Sequence, residues 1–347
     1  MRRYMDLIAE FEEVSKAAFI DWEKLKNKTM FVTGATGLIG QTLIRALLYV
    51  SEKKSLNIKI LALVRNIEKA EGLFKTEQGN TSALFFVEGT IEELPEIRQD
   101  IDYIIHGAGP TASGYFVSHP VETIKTFVNG TMNVLELAHL KKVDSLVFLS
   151  TMEVYGYPEK GHAVKENEIG AFLPDHARNS YPISKIQCEN LCCAYAKEYG
   201  VPARILRLTQ TFGPGVSYHD GRVFAQFARS AIEKKNIILK TKGLTERSYL
   251  YTMDAVTAIL TVLLKGEAGQ IYTAANKNTY CSIYEMAKLV AEEYGVEVVI
   301  EEEDVTALGY ANTLYMNLDT GKLETLGWSA GTELIDMYKK MMYDYER

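Results

Sequence analysis

The sequence predicts a doubly wound α/β fold with a parallel sheet and a smaller C-terminal lobe, on three observations. A short apolar run at 29–33 enters a glycine-rich turn, Gly34-Ala35-Thr36-Gly37-Leu38-Ile39-Gly40, that opens directly into a helical pattern. Further short apolar runs recur along the chain, and the one at 58–64 is nearly continuous rather than alternating. That is how a strand covered by helices on both faces reads. Helical patterns separate these runs, and such βαβ alternation implies strands running the same way in one sheet.

Taken in order, residues 1–28 read as an amphipathic helical extension. Leu7, Phe11 and Val14 share one face, and Trp22 and Leu25 add a second apolar pair, so the extension is expected to pack on the main domain. A nucleotide-binding domain is expected over 29–212. Its first strand is 29–33, its first helix 38–50 and its second strand 58–64, with further strands at 83–87, 103–106 and 145–150. A long helix over 181–199 is stopped by Gly200 and followed by Pro202, and 204–208 is the next strand. After Gly213-Pro214-Gly215 the alternation loosens, and 213–347 is expected to form mainly a substrate-binding lobe, with helices near 223–235 and 283–294. Two segments within 254–275, a helix to about 264 and a strand near 271–274, are expected to return to the first domain.

Composition narrows the function. The 347 residues suffice for a large core and two lobes. Hydrophobic content of 47% and charged content of 24% suit a soluble globular protein. A net charge of −7 with no basic run argues against a nucleic-acid face. No apolar run approaches the roughly 20 residues of a membrane helix. Acidic residues interrupt the N-terminus and no apolar segment follows, so it does not read as a secretion signal. A cytoplasmic location without membrane attachment is expected. Of the four cysteines, Cys188, Cys192 and Cys193 fall on one helix, and no second ligand pair stands at zinc spacing. They are expected to pack as small apolar residues, with no metal, as free thiols in a reducing compartment.

The glycine turn carries the first chemical signal. Gly34-x-x-Gly37-x-x-Gly40 between strand and helix is the context a dinucleotide site requires. The first glycine permits the tight turn, the second lets backbone approach a pyrophosphate, and the third lets helix pack on strand. Thr36, Leu38 and Ile39 complete the loop, whose helix N-terminus offers N–H groups to phosphate. The second strand ends in Arg65, where NAD sites usually place an acid for the adenosine ribose. A guanidinium there pairs with a 2′-phosphate, which favours NADP over NAD.

Tyr181 and Lys185 supply the second signal, spaced Tyr-x-x-x-Lys downstream of that loop. A tyrosine hydroxyl ordinarily ionises near 10. An ammonium one helical turn away and a positive nicotinamide ring are expected to bring it down, so that Tyr181 takes a hydroxyl proton as hydride leaves carbon. Thr151, at a strand's carboxyl end, is placed to orient the substrate oxygen.

Together these segments resemble the extended short-chain dehydrogenase/reductases, in the NAD-dependent epimerase/dehydratase family that acts on nucleotide sugars. The resemblance runs over residues 28–328. Thr33–Gly40 looks like TGxxGxxG, His106-Gly107-Ala108-Gly109 resembles the segment passing the nicotinamide ribose, and Asn129-Gly130-Thr131 resembles N-x-GT. Tyr181-Pro182-Ile183-Ser184-Lys185 resembles YxxSK, and Arg207 to Pro214 is similar to R-x-x-N-x-x-GP. Asn317-Leu318-Asp319-Thr320-Gly321-Lys322 matches the family's tail. Within the family, Thr151-x-Glu153-Val154-Tyr155-Gly156 is nearest to UDP-glucuronate decarboxylases and nucleotide-sugar 4,6-dehydratases.

The resemblance implies tightly held NAD or NADP, contacted also by Thr90, Ile91, Ala108, Gly109 and Lys185. It implies a nucleotide-diphosphate sugar met by Thr111, Asn129, Gln210, Arg222 and Arg247, and a homodimer built on the helices near 121–140 and 181–199. The shared chemistry is transient oxidation of the sugar C4 hydroxyl, after which elimination, decarboxylation or epimerisation becomes easy. Glu153, beside the C5–C6 region, points to a dehydratase or decarboxylase; a structural hydrogen bond in the strand-end turn is its other reading. A C4 epimerase, an NADPH-dependent ketosugar reductase and a non-catalytic NADP-sensing protein are the alternatives. The chain departs from the pattern at Met152, where dehydratases carry an aspartate and decarboxylases a serine, at Gln210 in place of asparagine, and at Pro182.

Overall fold

A computed structural model describes residues 2–75, 82–303 and 313–345. In chain order its elements are α1 (Arg2–Ser15), β1 (Thr29–Thr33), α2 (Leu38–Lys53), β2 (Lys59–Val64), α3 (Ile67–Leu73), β3 (Leu84–Glu88) and β4 (Tyr103–His106). Then come α4 (Ser113–Ser118), α5 (Pro120–Lys141), β5 (Ser145–Thr151), β6 (Ala163–Val164), α6 (Ser180–Tyr199), β7 (Ala203–Leu208) and β8 (Gln210–Phe212). The remainder is α7 (Val223–Ile232), β9 (Ile237–Leu239), β10 (Glu246–Tyr251), α8 (Thr252–Lys265), β11 (Ile271–Ala274), β12 (Asn276–Ser282), α9 (Ile283–Tyr294), β13 (Val298–Ile300), β14 (Tyr315–Leu318), α10 (Gly321–Glu324) and α11 (Leu334–Tyr345).

Seven strands form one sheet in the order β3-β2-β1-β4-β5-β7-β11, every neighbouring pair parallel. The order reverses direction at β1, which lies between β2 and β4. This is the doubly wound, Rossmann-like arrangement, and its ligand crevice lies beyond the carboxyl ends of the strands at that switch point. Here those ends are Thr33 of β1, His106 of β4 and Thr151 of β5.

Local chemistry sets the element ends. Helix α6 stops where Gly200 takes a left-handed φ of 69°, which costs glycine nothing. Helix α9 opens with a capping box, in which Ser282 and Glu285 satisfy each other's backbone N–H. Helix α7 was expected to reach residue 235 but ends at Ile232, because the chain reverses at Lys234, whose φ is 55°.

A second sheet runs β12-β10-β14-β6, with β8 also pairing β10, and β9 pairs β13. Strand β8 follows β7 directly, so the two sheets are joined at the mouth of the crevice. The apolar face of α1 is buried as its pattern suggests: Leu7, Phe11 and Val14 join Trp22 and Leu25 in the core shared with α2 and α8. The Tyr251 hydroxyl donates to Glu10, and Lys340 lies 3.4 Å from the same carboxylate, which ties α1 to the C-terminal helix. Among the described residues, no helix is long and apolar enough to cross a membrane.

Candidate active site

A cleft of about 1930 Å³ opens beyond the carboxyl ends of β1, β4 and β5. At one end it is lined by Gly34, Thr36, Gly37, Leu38, Ile39 and Gly40, with Arg65, Thr90, Ile91, Ala108 and Gly109 beside them. Gly34 sits at φ 74°, and a Cβ there would lie 2.7 Å from the Gly107 backbone, so the turn has no room for a side chain. Gly37 differs. The tightest contact a Cβ would make there is 3.3 Å, to the Gly34 oxygen, so a methyl group would fit only with a shift of a few tenths of an ångström, far less than Gly34 or Gly40 would need.

Gly37 is also the N-cap of α2, and no side chain caps that helix. The first-turn N–H groups of a helix have no partner within it. A bare, glycine-faced helix N-terminus in the cleft wall fits a dinucleotide pyrophosphate. At the end of β2, Arg65 and Lys69 both line the cleft and both are exposed. Lys69 carries no signal in the sequence, because it sits on the solvent side of a short helix.

Below the cleft floor, Thr33 Oγ1 meets His106 Nδ1 at 2.8 Å, and His106 Nε2 meets Thr131 Oγ1 at 3.1 Å. Burial, with the Lys185 charge nearby, pushes the imidazole down to about 3, so it stays neutral. The same Thr33 hydroxyl accepts from the Gly107 and Ala108 backbone N–H groups at 3.2 Å. One neutral network thus fixes the β1 and β4 ends against each other.

Tyr181, Thr151, Glu153 and Lys185 come together in the middle of the cleft. The Tyr181 ring stacks on Phe116 at 4.3 Å and meets Phe127 edge-on at 5.4 Å. Thr151 lines the cleft beside it, and the Thr151 hydroxyl accepts from the Glu153 backbone N–H at 3.2 Å. Burial holds the Tyr181 hydroxyl above its ordinary value, with Glu153 adding to the rise and Thr151 and Arg178 opposing it. The Lys185 ammonium was expected to act directly on Tyr181. It donates instead to the Leu149 carbonyl at 2.8 Å and sits 4.5 Å from the Phe127 and Phe148 ring centroids. Burial brings Lys185 down to about 8.

The cation nearest the tyrosine was missed by sequence reasoning. Arg178, in the 3₁₀ turn Ala177–Asn179 just before α6, places Nη2 2.7 Å from Glu153 Oε2. Its guanidinium lies 5.1 Å from the Phe116 ring and 6.0 Å from the Tyr181 ring. Met152 is buried against the cleft, with its sulfur 3.2 Å from the oxygen of the Thr209 hydroxyl, which donates to the Ser248 carbonyl at 2.7 Å.

Behind Thr151 a buried ion pair stiffens the strand end. Arg207, fully buried, donates Nε and Nη2 to Glu189 at 2.9 and 2.6 Å, and the Ser150 hydroxyl donates to the same carboxylate at 2.5 Å.

The far end of the cleft carries Thr111, Gln210, Arg222 and Arg247. Arg247 Nη1 donates to Gln210 Oε1 at 3.0 Å, and its buried Nε has no hydrogen-bond partner among the described residues. Arg222 is held by Asp220, with Nη2 to Oδ2 at 2.7 Å. Asn129, expected at the substrate, does not line the cleft. It is exposed on α5, about 200° around the helix from the inward-facing Phe127.

Comparison with known proteins agrees with this geometry. The profile of the NAD dependent epimerase/dehydratase family matches residues 30–276. UDP-glucuronic acid decarboxylase 6 of Arabidopsis thaliana is 29% identical over 326 residues, covering 92% of this chain and 89% of that protein. UDP-glucuronic acid decarboxylase 1 of Xenopus tropicalis is 32% identical over 197 residues, 56% of this chain, and the match spans about half of that protein's length, 46%. Among solved structures, the dTDP-glucose 4,6-dehydratase DesIV of Streptomyces venezuelae, with NAD bound, superposes with a TM-score of 0.75 at 23% identity, covering 92% of this chain and 97% of that one. UDP-glucuronic acid 4-epimerase of Bacillus cereus, in complex with NAD, gives 0.74 at 22% identity, covering 92% and 98%. At these identities the structural matches establish the fold.

Proposed function

The chain belongs to the NAD dependent epimerase/dehydratase family of enzymes, and on that premise we propose that it is a nucleotide-sugar decarboxylase or dehydratase working through transient oxidation of the sugar C4 hydroxyl. Decarboxylation of a nucleotide-linked uronic acid is the reading the site supports best. The observation that carries it is the composition of the strand end. Glu153 faces the cleft in an ion pair, while Met152 beside it is a thioether with no proton to give. Elimination of a C6 hydroxyl needs an acid at the leaving oxygen, which Met152 does not provide. Loss of carbon dioxide needs none. The decarboxylases among the relatives lend the same reading support.

Each residue then has a role. The glycine loop and the α2 N-terminus hold the pyrophosphate, and Lys185 holds the nicotinamide ribose. Bound there, the nicotinamide supplies a hydride acceptor for sugar C4. Tyr181 takes the C4 hydroxyl proton, and Thr151 holds the oxygen in line for that transfer. The 4-ketone makes the C5 carboxylate a β-keto acid. Its C5–C6 bond breaks, carbon dioxide leaves with C6, and the electron pair passes to the C4 oxygen, where the Tyr181 hydroxyl meets the developing charge. We assign Glu153 to relay a proton from solvent to C5, after which the hydride returns to C4 and closes the cycle. Arg247 and Arg222, both lining the cleft, meet the substrate diphosphate.

Arg65 after β2 and Lys69 on α3 favour NADP, since two cations line the cleft where β2 ends and the residue directly after that strand is not acidic. Comparing dissociation constants tests this, and tighter binding of NAD than NADP removes it. A homodimer through α5 and α6 is part of the same proposal. Val121, Ile124 and Leu140 on α5 and Tyr199 on α6 are exposed apolar residues, and light scattering of the purified protein gives the mass. A cytoplasmic setting suits its four free cysteines. The chemical assignment is tested by Glu153→Gln, which is expected to lose at least about 100-fold in turnover, the usual scale for a lost acid–base group. Full turnover in that variant excludes chemistry by Glu153.

A further inference from the structure

Two charges act on the Tyr181 hydroxyl, the Glu153 carboxylate and the Arg178 guanidinium. They reach it from different elements. Glu153 follows β5, whereas Arg178 sits in the turn before α6. Among the described residues, Phe116 of α4 and Phe127 of α5 pack their rings against it, and the neutral Thr151 hydroxyl at the end of β5 lines the same cleft. Its own helix carries Lys185, which is turned away to the Leu149 carbonyl.

The guanidinium is fixed in three ways. It is ion-paired to Glu153 at 2.7 Å, and it lies 5.1 and 6.0 Å from the stacked Phe116 and Tyr181 rings. A cation–π contact and a charge-assisted hydrogen bond together hold an arginine better than either alone. Its side chain is 36% exposed, so it faces the cleft rather than the core.

We propose that Arg178 is a positioning residue that clamps Glu153 and neutralises its charge beside Tyr181, so that the Arg178–Glu153 pair governs release of the Tyr181 proton. The reasoning is electrostatic. An unpaired carboxylate beside a phenol opposes formation of the phenolate. Glu153 is wanted in the cleft for its own chemistry, so its charge must be cancelled locally. Lys185 is committed elsewhere, and Arg178 carries the compensating charge. This rests on the functional reading above only in making Tyr181 the base; the geometry itself involves no substrate.

The test places 3,5-difluorotyrosine at position 181 of the full chain, with cofactor as purified, and follows its ionisation by fluorine NMR. The fluorines lower the phenol's ionisation into an accessible range and give one assigned signal. Arg178→Gln is expected to raise the midpoint by about 1–3 pH units, the usual effect of a neighbouring charge. Glu153→Gln lowers it. The Arg178→Gln/Glu153→Gln pair returns it toward the unsubstituted value, and Arg178→Lys stays close to it. A merely structural loss gives no such return. An unmoved midpoint in Arg178→Gln, or a double variant that titrates like Arg178→Gln alone, overturns the proposal. Since no turnover is measured, this outcome is independent of which nucleotide sugar the enzyme accepts.

Discussion

Gly40 packs against the backbone of Gly34 so closely that a Cβ at position 40 would stand 2.2 Å from the Gly34 carbonyl oxygen. Gly37, three residues earlier, is open by comparison, at 3.3 Å from the same atom. The two glycines therefore do different work. Gly40 lets helix α2 meet strand β1, and Gly37 keeps the cleft wall bare for a ligand.

Substituting them separates the two roles. Gly40→Ala is expected to destabilise the fold by about 2 kcal/mol or more, since backbone must shift to admit the methyl group. Gly37→Ala is expected to cost about 1 kcal/mol in the cofactor-free protein, the usual scale for alanine at a helix N-cap, while weakening dinucleotide binding at least tenfold. Calorimetry on both variants checks this. Unchanged binding in Gly37→Ala would show that the ligand's phosphates lie elsewhere.

Lys185 trades stability for position. Burial brings its ammonium down to about 8 from 10.5, so the folded protein carries a penalty wherever this lysine is charged. The sign follows: the penalty is full at pH 7, begins to fade above about pH 8, and is gone near 10.5. A shift of this size corresponds to about 3 kcal/mol at neutral pH. Loss of the hydrogen bond to the Leu149 carbonyl offsets about 1 kcal/mol of that. Lys185→Met is thus expected to be about 2 kcal/mol more stable than the parent at pH 7, in protein stripped of cofactor, and nearly equal at pH 10. Urea unfolding at both pH values measures the difference, and a less stable variant at pH 7 contradicts it.

His106 makes the fold acid-sensitive from within. An unfolded histidine protonates near 6.5, whereas the buried ring, held between Thr33 and Thr131, resists protonation down to about 3. Its folded value is depressed, so its contribution is whole above pH 6.5 and is lost as pH falls from 6.5 to 3, at up to about 1.4 kcal/mol per pH unit. Between pH 7 and pH 5, wild-type protein is expected to lose about 2 kcal/mol more than His106→Asn, which keeps a polar side chain without titrating. Equal losses in the two proteins mean that the ring already titrates normally.

Much of the fold was legible because its signals are local. The strands Thr29–Thr33, Tyr103–His106 and Ile271–Ala274 have the bounds their apolar runs suggest, and Gly200 stops α6 where glycine punctuation places it. The cysteines of α6 behave as small apolar residues, with Cys188 and Cys192 fully buried one turn apart. The glycine loop and Tyr181 were legible for the same reason: their spacing is written within a few residues. Contacts between distant segments were not. Arg178 stands in a polar stretch without periodicity, 25 residues from its partner Glu153. The Glu189–Arg207 pair joins a helix of mixed polarity to a buried strand, and nothing in either segment announces the other. The departure of Lys185 from Tyr181 depends on a rotamer choice set by Phe127, Phe148 and the Leu149 carbonyl. Asn129 falls outside the cleft lining, since a motif gives a position on a helix but not which way that helix turns its face.

The most direct test of the central claim is to incubate the purified protein, without added cofactor, with UDP-glucuronate, UDP-glucose, GDP-mannose, dTDP-glucose and CDP-glucose, and to identify products by mass spectrometry and NMR. The account predicts loss of carbon dioxide from the uronate, with no product from it in Tyr181→Phe. Loss of water from a neutral sugar would move the assignment to a dehydratase with the same C4 oxidation. A mass-neutral isomer, or no product without added NADPH, would contradict an internal oxidation that ends in bond cleavage at C5 or C6.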